Sequence, residues 1–435
     1  MPTIRRLLLP GIVALLPFAG CGGEPAEEAG SLAPPPAPWL GDGPPAGDPE
    51  AVRPFTIDVP DAVLDDLDAR LARTRLPDEI DGAEWDYGMP LGYLTELITY
   101  WRDEYDWRAQ EARLNEFDQF KTQIGDVDVH FIHQRSPEPD ALPLLVTHGW
   151  PGSVVEFMEI IGPLTDPAAH GGRSEDAFHV VAPSIPGYGF SGHPPGRGFG
   201  PEPAADLSAQ LMARLGYETY GLQGGDWGSI ISRWHAFKYP EQVMGLHLNV
   251  ASAPPPAGVD DPEAGVPEAE LERMRARTAF FRGPEDGYAH LQGTKPQTIG
   301  YALTDSPAGQ AAWVVEKFRT WCDCDGHPET IFDRDALLTN VMLYWVSASA
   351  TSAARMYYES GRWRPGGTPI EPGHIDVPTG LAVFPEELSY APRAWSEARY
   401  NLVRWTEMPR GGHFAAMEQP ELFIDDVRAF FAELR

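Results

Sequence analysis

Apolar residues between positions 136 and 255 occur in short runs separated by amphipathic stretches, which predicts strands that alternate with helices. The runs are rich in Leu, Val and Ile and are bounded by glycine and proline, a pattern typical of strands buried on both faces. They are "ALPLLVT", "AFHVVAPS", "YETYGLQGG" and "VMGLHLNVAS". This alternation indicates the α/β class, with a mostly parallel sheet covered by helices.

Residues 53–135 precede this region and are predicted to form an N-terminal extension of helices and a hairpin. In "DAVLDDLDARLART", Leu64, Leu67 and Leu71 fall on one helical stripe, and Asp61 is the predicted N-cap. The stretch "GYLTELITYWRDEYDW" predicts a second amphipathic helix. The stretch "FKTQIGDVDVHFIHQR" alternates like two strands joined by a tight turn at its Gly-Asp pair.

A helical insertion, here called the lid, is predicted at residues 256–374. It contains two long helical patterns, "AGQAAWVVEKFRTW" and "DALLTNVMLYWVSASATSAARMYY". Strand patterns resume in residues 375–435 with "VPTGLAVFP" and "LVRWTEMP", and the helical pattern "QPELFIDDVRAFFAEL" follows them. Helices inserted late in a parallel sheet predict a cover over the carboxyl edge of its strands, where ligands bind.

The first 52 residues differ in composition from the rest. Residues 1–20 combine two arginines with the apolar run "LLLPGIVALLPFA", which is too short for a membrane span and is typical of a secretory signal. Cys21 follows at a position that resembles the lipidated cysteine of bacterial lipoproteins. Residues 21–52 are rich in proline, glycine and glutamate, which favours a tether. We therefore expect an exported protein: a periplasmic or outer-membrane-anchored lipoprotein, tethered to the membrane through Cys21, or otherwise a secreted protein.

The charge of the chain restricts its partners. The formal charge is −31, from 33 Lys and Arg residues against 64 Asp and Glu residues. Such a surface repels phosphate groups, which argues against a nucleic-acid partner. Only one residue separates Cys322 from Cys324, a spacing that disfavours a direct disulfide, and nearby partners for a zinc site are missing. We interpret both as free thiols.

The stretch "QGGDWGS" carries the strongest chemical signal. It lies where a predicted core strand turns into a helix, and Gly224, Gly225 and Gly228 surround Asp226. A nucleophile elbow needs such small neighbours because its turn is tight and lifts the nucleophile above the edge of the sheet. On this stretch alone, Asp226 is equally well explained as the N-cap of the following helix.

Two further loops favour the nucleophile. The loop "HGWPGS" directly follows the strand "LPLLVT", the position that supplies one oxyanion N–H group in this fold class. The predicted oxyanion donors are the backbone N–H groups of Trp150 and Trp227. His413 lies in the glycine-flanked loop "PRGGHFAAMEQP", where the chain order nucleophile, acid, histidine places the general base. His374 is the weaker candidate because it lies in a linker.

The carboxylate that orients this histidine should follow the preceding strand. There, "AVFPEELSY" offers two adjacent acids, Glu386 and Glu387. Surface carboxylates are common in so acidic a chain, so either could equally be a solvated side chain.

Together these motifs resemble those of the epoxide hydrolases of the microsomal type, including the insect juvenile-hormone branch, within the α/β-hydrolase superfamily. The resemblance extends from Phe55 to the C-terminus. It rests on "HGWPGS", "GGDWGS", "LLTNVMLYW", "RGGHFAAMEQP" and the N-terminal segment "YWRDEYDWRAQEARLNEFDQF". It implies an α/β-hydrolase fold with a helical lid insertion and an N-terminal extension.

The resemblance also implies a role for each site residue. Asp226 would be the nucleophile, His413 the base and Glu387 the orienting acid. Tyr288 and Tyr357 match the two lid tyrosines that protonate the epoxide oxygen in this family. The reactants would be a small apolar epoxide and water, the product a vicinal diol, and neither a metal nor an organic cofactor would be needed. Detoxification or the catabolism of aromatic hydrocarbons would be the setting.

Three alternatives remain at this point. Tyr358 is adjacent to Tyr357 and could take its place. A haloalkane dehalogenase would share the aspartate nucleophile, the histidine base and the tryptophan after the nucleophile, but it has no need of paired lid tyrosines. A catalytically retired α/β-hydrolase could bind an apolar ligand without turning it over.

Overall fold

In the computed structural model, which describes residues 39–41, 47–363, 366–368 and 371–435, nine strands form one sheet in the order β1-β2-β3-β5-β4-β6-β7-β8-β9. The strands are β1 Arg53–Phe55, β2 Gln119–Ile124, β3 Val127–Gln134, β4 Leu142–Thr147, β5 Phe178–Pro183, β6 Tyr220–Gly224, β7 Val243–Leu248, β8 Ile375–Val383 and β9 Tyr400–Glu407. Strands β4 to β9 are parallel, and β1 to β3 add antiparallel strands beside β5. The predicted α/β class and the predicted hairpin, formed by β2 and β3, are confirmed.

Helices cover both faces of this sheet. In the described part of the chain they are α1 Asp61–Leu71, α2 Leu91–Asp103, α3 Trp107–Leu114, α4 Met158–Thr165, α5 Pro201–Arg214, α6 Asp226–Lys238, α7 Glu268–Phe280, α8 Gly287–Thr294, α9 Pro296–Asp305, α10 Pro307–Trp321, α11 Arg334–Val346, α12 Ala350–Glu359, α13 Arg393–Arg399, α14 Ala415–Glu418 and α15 Pro420–Ala432. Helices α4 and α15 contribute to one buried apolar cluster and α5 to a second. Burial from both sides explains why the central strands are apolar almost throughout.

The lid lies between β7 and β8, as the sequence predicts, and contains α7 to α12. Its last predicted helix is in fact two helices, because the chain breaks between α11 and α12. At the break Ala348 has a φ of +48°. The Ser347 hydroxyl donates to Leu343 O over 2.5 Å and approaches the Ser349 hydroxyl at 2.8 Å. Serine side chains that bond the backbone in this way compete with continued helix formation.

Asp61 is the first residue of α1 rather than its N-cap, so that prediction is wrong. The N-cap is Pro60, and no side chain caps the helix. The Asp61 carboxylate instead pairs with the guanidinium of Arg108, a charged donor that competes well with a neutral N–H group. The helix nevertheless buries Leu67 and Leu71, as the predicted stripe requires.

The N-terminal extension packs against the lid. The Tyr100 hydroxyl donates to Asp335 over 2.8 Å, and the Tyr105 hydroxyl bonds to that of Thr339 over 3.0 Å. Both partners belong to α11. The Trp39 N–H group donates to a carbonyl of the same helix over 3.0 Å, although Trp39 falls within the predicted tether. The predicted secretory signal and Cys21 lie outside the described residues. No helix among the described residues has both the length and the apolar composition needed to cross a membrane.

Cys322 and Cys324 form a disulfide, with their Cα atoms 5.3 Å apart, so their interpretation as free thiols is wrong. The backbone at Cys322 is extended, with φ −87° and ψ 162°. This conformation separates the two Cα atoms by a distance that disulfides commonly use. The bridge directly follows Trp321, whose carbonyl accepts the N–H group of His413 over 2.9 Å. The disulfide therefore borders the loop of the predicted base.

Candidate active site

A sharp turn between β6 and α6 places Asp226 at the carboxyl edge of the sheet. Asp226 has a φ of +45°, and Gly225, not Asp226, is the N-cap of α6. A Cβ atom on Gly228 would lie 1.8 Å from Thr147 O, and one on Gly149 would lie 2.1 Å from the Asp226 carboxylate. Because real Cβ atoms never approach so closely, these glycines are what allow the turn and the neighbouring loop to pack together. The geometry is that of a nucleophile elbow.

The structure brings Asp226, His413 and Glu387 together at this edge. His413 Nε2 lies 3.3 Å from Asp226 Oδ2. On its other side, His413 Nδ1 lies 2.9 Å and 3.1 Å from the two carboxylate oxygens of Glu387. Glu386 faces away and pairs with Arg277. The alternative base, His374, is exposed and contacts Ala398 O at 3.1 Å.

Opposing influences act on the pKa of His413. Burial acts to lower it, but the carboxylates of Glu387 and Asp226 outweigh burial and raise the pKa well above 6.5. The imidazole is therefore protonated at neutral pH while both carboxylates are charged. Removal of either negative charge would lower the pKa and favour the neutral base.

Glu418 holds the loop that carries His413, a role that the sequence motifs did not predict. Its carboxylate accepts the N–H groups of Gly412, Phe414 and Asp323, each over 2.8 Å. These three bonds fix the backbone on both sides of the histidine. A glutamate five residues after the histidine, in "HFAAME", is the only trace of the arrangement in the sequence.

Two lid tyrosines face the elbow. The hydroxyls of Tyr288 and Tyr357 lie 3.4 Å apart. Tyr288 stacks on Trp150 with ring centroids 4.7 Å apart, and Tyr357 meets Trp227 edge-on at 4.8 Å. Burial, reinforced by the nearby Asp226 charge, raises the pKa of both tyrosines well above 10. Both hydroxyls therefore remain protonated and able to donate.

The loop "HGWPGS" is fixed to Asp226 and to the lid. The Trp150 N–H group donates to Asp226 Oδ1 over 2.8 Å. The Asn340 amide donates to Pro151 O, and the Tyr344 hydroxyl to Gly152 O, each over 2.7 Å. These bonds account for the motif "LLTNVMLYW" of α11. The second predicted oxyanion donor, the N–H group of Trp227, lies in the first turn of α6, where N–H groups have no partner within the helix.

A cavity of about 410 Å³ connects the elbow with the lid tyrosines. Asp226, His413, Glu387, Tyr288 and Tyr357 all line it. Apolar side chains form much of the remaining wall, namely Ile230, Val250, Met274, Phe281, Trp363 and Leu388. Among the residues that the structure describes, no group of three or more His, Cys, Asp or Glu side chains could hold a metal ion.

Comparison with known proteins decides the family. The chain is 41% identical over 424 residues to Epoxide hydrolase 1 of Sus scrofa, which covers 91% of this chain and 92% of that protein. The chain belongs to the epoxide hydrolase family. The family model "Epoxide hydrolase N terminus" matches residues 52–157 of this epoxide hydrolase, and the model "alpha/beta hydrolase fold" matches residues 143–299.

Solved structures agree with this assignment. The juvenile hormone epoxide hydrolase of the silkworm Bombyx mori is similar with a TM-score of 0.80 and 34% identity over 89% of this chain and 95% of that one. The Aspergillus niger epoxide hydrolase is similar with a TM-score of 0.78 and 34% identity over 88% of this chain and 97% of that one. The predicted α/β-hydrolase fold and the predicted hydrolase activity on epoxides, with water as second reactant, are confirmed.

The expectation of an exported lipoprotein is wrong. The relatives that align along most of this epoxide hydrolase include Epoxide hydrolase 1 of Sus scrofa and of Oryctolagus cuniculus, and the likeness to these enzymes gives no support to an exported lipoprotein. The error has a physical origin, because a short apolar run after two basic residues shows the hydrophobicity and charge of a segment but does not determine where the protein is located.

A further carboxyl group, which the sequence did not single out, lies beside Asp226. Glu156 lines an enclosed cavity of about 10 Å³, together with Asp226, His413 and Asn249. Burial raises the pKa of Glu156 to about 8 and the charge of Asp226 adds to the rise, although His413 opposes it. Its position three residues after "HGWPGS" is a signal that could have been noticed, because that loop borders the nucleophile.

This raised pKa predicts that the epoxide hydrolase loses stability as the pH rises. The folded protein keeps the Glu156 proton up to a pH of about 8, whereas an unperturbed glutamate releases it near 4.5. Between these values the unfolded state gains up to about 1.4 kcal/mol per pH unit relative to the folded state. In Glu156→Gln this loss should be absent, so the free energy of unfolding of the variant should rise relative to that of the wild type as the pH rises. Urea unfolding at a series of pH values measures this difference.

Glu159→Gln is the matched control, because Glu159 is exposed and pairs with Arg113 at the surface. Its stability should follow the wild type at every pH, since exposed ion pairs contribute little. Parallel pH profiles for wild type and Glu156→Gln would contradict the prediction.

Proposed function

We propose that this epoxide hydrolase opens an apolar epoxide through a covalent ester on Asp226, which water activated by His413 then hydrolyses to a vicinal diol. The observation that carries the proposal is the position of the Asp226 carboxylate. One of its oxygens accepts the Trp150 N–H group at 2.8 Å, and the other faces His413 Nε2 at 3.3 Å. We assign the attack to the oxygen on the His413 side, because the other oxygen is already held by a backbone donor.

The first step suits a carboxylate rather than a serine. An epoxide carbon is saturated, so it is opened by in-line displacement, and an ionised carboxylate needs no base for that attack. A new C–O bond to Asp226 forms as the ring C–O bond breaks. The basic alkoxide then takes a proton from Tyr288 or Tyr357. Because the pKa of both tyrosines is raised above 10, the tyrosinate readily regains a proton.

Formation of the ester prepares His413 for the second step. The ester carries no charge, so one of the two carboxylates that raise the pKa of His413 is lost, and its neutral form is favoured. Neutral His413, oriented by Glu387, takes a proton from water as the water attacks the ester carbonyl carbon. The N–H groups of Trp150 and Trp227 stabilise the oxyanion, a contribution of about 3 kcal/mol per donor in comparable sites.

The protons balance over the cycle. Alkoxide protonation in the first step consumes one proton, and hydrolysis of the ester to a carboxylate and an alcohol releases one. His413 can store this proton in the free enzyme, where Glu387 and Asp226 stabilise the imidazolium. The cavity of about 10 Å³ beside Glu156 and Asp226 is the size of one water molecule, and we place the attacking water there.

The apolar wall of the larger cavity supports an apolar epoxide as substrate. Detoxification of such compounds, or their breakdown during the catabolism of aromatic hydrocarbons, is the biological role we propose.

Isotope labelling tests the covalent route. A single turnover of styrene oxide in water labelled with heavy oxygen should place the label in the Asp226 carboxylate and leave the first diol unlabelled. The labelled oxygen reaches the diol only in later turnovers, after it has become part of the nucleophile. Label in the diol of the first turnover, or equal turnover by Asp226→Ala, would rule the covalent route out.

A further inference from the structure

Four arginines lie around one side of the larger cavity, and the proposed mechanism uses none of them. Arg233, Arg282 and Arg362 line the cavity, and Arg399 is joined to Arg233 through a carboxylate that both contact. We call these four residues the arginine cluster. The whole chain has only 33 Lys and Arg residues and a formal charge of −31. A concentration of cations at this place is therefore the reverse of what the composition predicts.

The positive charge of the arginine cluster is poorly compensated. Glu371 is shared by Arg233, at 3.5 Å, and Arg399, at 3.8 Å. Within the part of the chain that the structure describes, neither Arg282 nor Arg362 forms an ion pair with a carboxylate. The Nε and Nη2 atoms of Arg399 are buried without a hydrogen-bond partner. Two of the four guanidinium groups thus share one carboxylate, and the other two have no carboxylate partner among the described residues.

The other carboxylates of the cavity do not fill this deficit. Asp226 and Glu387 both contact His413 and are occupied with it. Burial lowers the pKa of Arg362, the charge of Glu371 acts to raise it, and the neighbouring charges of Arg233 and Arg282 lower it further. Arg233 is buried, whereas Arg282 and Arg362 are exposed on the cavity wall, and an anion among these like charges would lower their mutual repulsion.

We infer that the arginine cluster binds the anionic end of the substrate, so that the preferred epoxides carry a carboxylate on an apolar chain. The inference rests on the proposed function, because the epoxide of the same molecule must reach Asp226. Apolar residues such as Val250, Met274 and Leu388 line the same cavity and offer contacts for the chain. Guanidinium groups suit the anionic end of the substrate because their N–H donors match both oxygens of a carboxylate.

A matched pair of substrates tests the inference on the full-length enzyme. Undecanoic acid with a terminal epoxide and its methyl ester share the epoxide and the chain, and they differ in the head group, which is a charged carboxylate in the acid and an uncharged methyl ester in the other. The wild type should hydrolyse the acid with a kcat/KM at least about tenfold higher than that of the ester, because only the acid meets the arginines with a charge. Equal values, or a preference for the ester, would overturn the inference.

Variants locate the preference. Arg362→Gln and Arg282→Gln should each reduce the ratio of acid to ester to below about threefold, chiefly by raising KM for the acid. The ratio is internal to each variant, so a general loss of activity does not affect it. Arg393→Gln removes the same charge from an exposed arginine that pairs with Glu397, and should keep the wild-type ratio. An unchanged ratio in both cavity variants would refute the assignment.

A binding measurement separates this inference from the proposed function. Calorimetry should show decanoate binding at least about tenfold more tightly than decanamide, which has the same chain without the charge, and no turnover is needed. Absence of diol from both epoxides would defeat the proposed function and leave this readout intact. Diol formation with equal affinity for decanoate and decanamide would defeat the inference alone.

Discussion

Replacing His413 by glutamine is expected to stop the reaction at the ester. The first step needs only the Asp226 carboxylate and a proton donor, whereas the second needs a base within reach of water. Positioned bases contribute about a hundredfold to ten-thousandfold, so steady-state diol formation should fall about a thousandfold. The protein should instead gain the mass of one epoxide molecule on Asp226 within the first turnover, which intact-protein and peptide mass spectrometry measure.

The control for this variant is His374→Gln, which changes an exposed histidine at the C-terminal end of the lid. It should form diol within about twofold of the wild-type rate and accumulate no adduct, as expected of a surface substitution. A folded His413→Gln protein that turns over normally, or that never carries the adduct, would refute the assigned base. Circular dichroism establishes that the variant is folded.

The second large effect is expected from the tyrosine pair. The hydroxyls of Tyr288 and Tyr357 lie 3.4 Å apart in the cavity, so each can compensate in part for the other. Tyr288→Phe and Tyr357→Phe should each slow ester formation about tenfold to a hundredfold, and the double variant about a thousandfold or more. The alkoxide would then have to leave without a proton. Rapid-quench measurement of ester formation isolates this step.

Tyr358→Phe is the matched control for the pair, because Tyr358 is the neighbour that the sequence could not separate from Tyr357. It should form the ester within about twofold of the wild-type rate. Ester hydrolysis should be little changed in all three single variants, since the tyrosines act on the epoxide oxygen. If Tyr358→Phe rather than Tyr357→Phe slows ester formation, Tyr358 and not Tyr357 is the proton donor.

The sequence was most informative where local sterics and chain order determine the structure. The glycines around Asp226 predict a tight turn, and the structure shows why, because a Cβ atom on Gly228 would lie 1.8 Å from a backbone oxygen. The apolar runs predict the parallel strands, since burial on both faces leaves no room for polar positions. His413 followed from its place between the last strand and the last helix.

The sequence was least informative where the decisive contact joins distant segments. Glu418 and Glu156 look like ordinary acids in an acidic chain, and only the folded structure shows their carboxyl groups beside His413 and Asp226. The arginine cluster is collected from α6, the lid and α13, so no window of sequence reveals it. The choice between Glu386 and Glu387 depends on a difference in side-chain direction that periodicity does not encode.

The contacts between the N-terminal extension and α11 have a consequence for engineering. Tyr100 and Tyr105 bond directly to that helix, and α11 in turn holds the "HGWPGS" loop through Asn340 and Tyr344. Hydrogen bonds thus connect the N-terminal extension to the lid, and the lid to the "HGWPGS" loop. A chimera that takes only residues 256–374 from a relative would lose the matched contacts of α11 with Tyr100 and Tyr105. Exchanges intended to alter selectivity should therefore transfer α1 to α3 along with the lid.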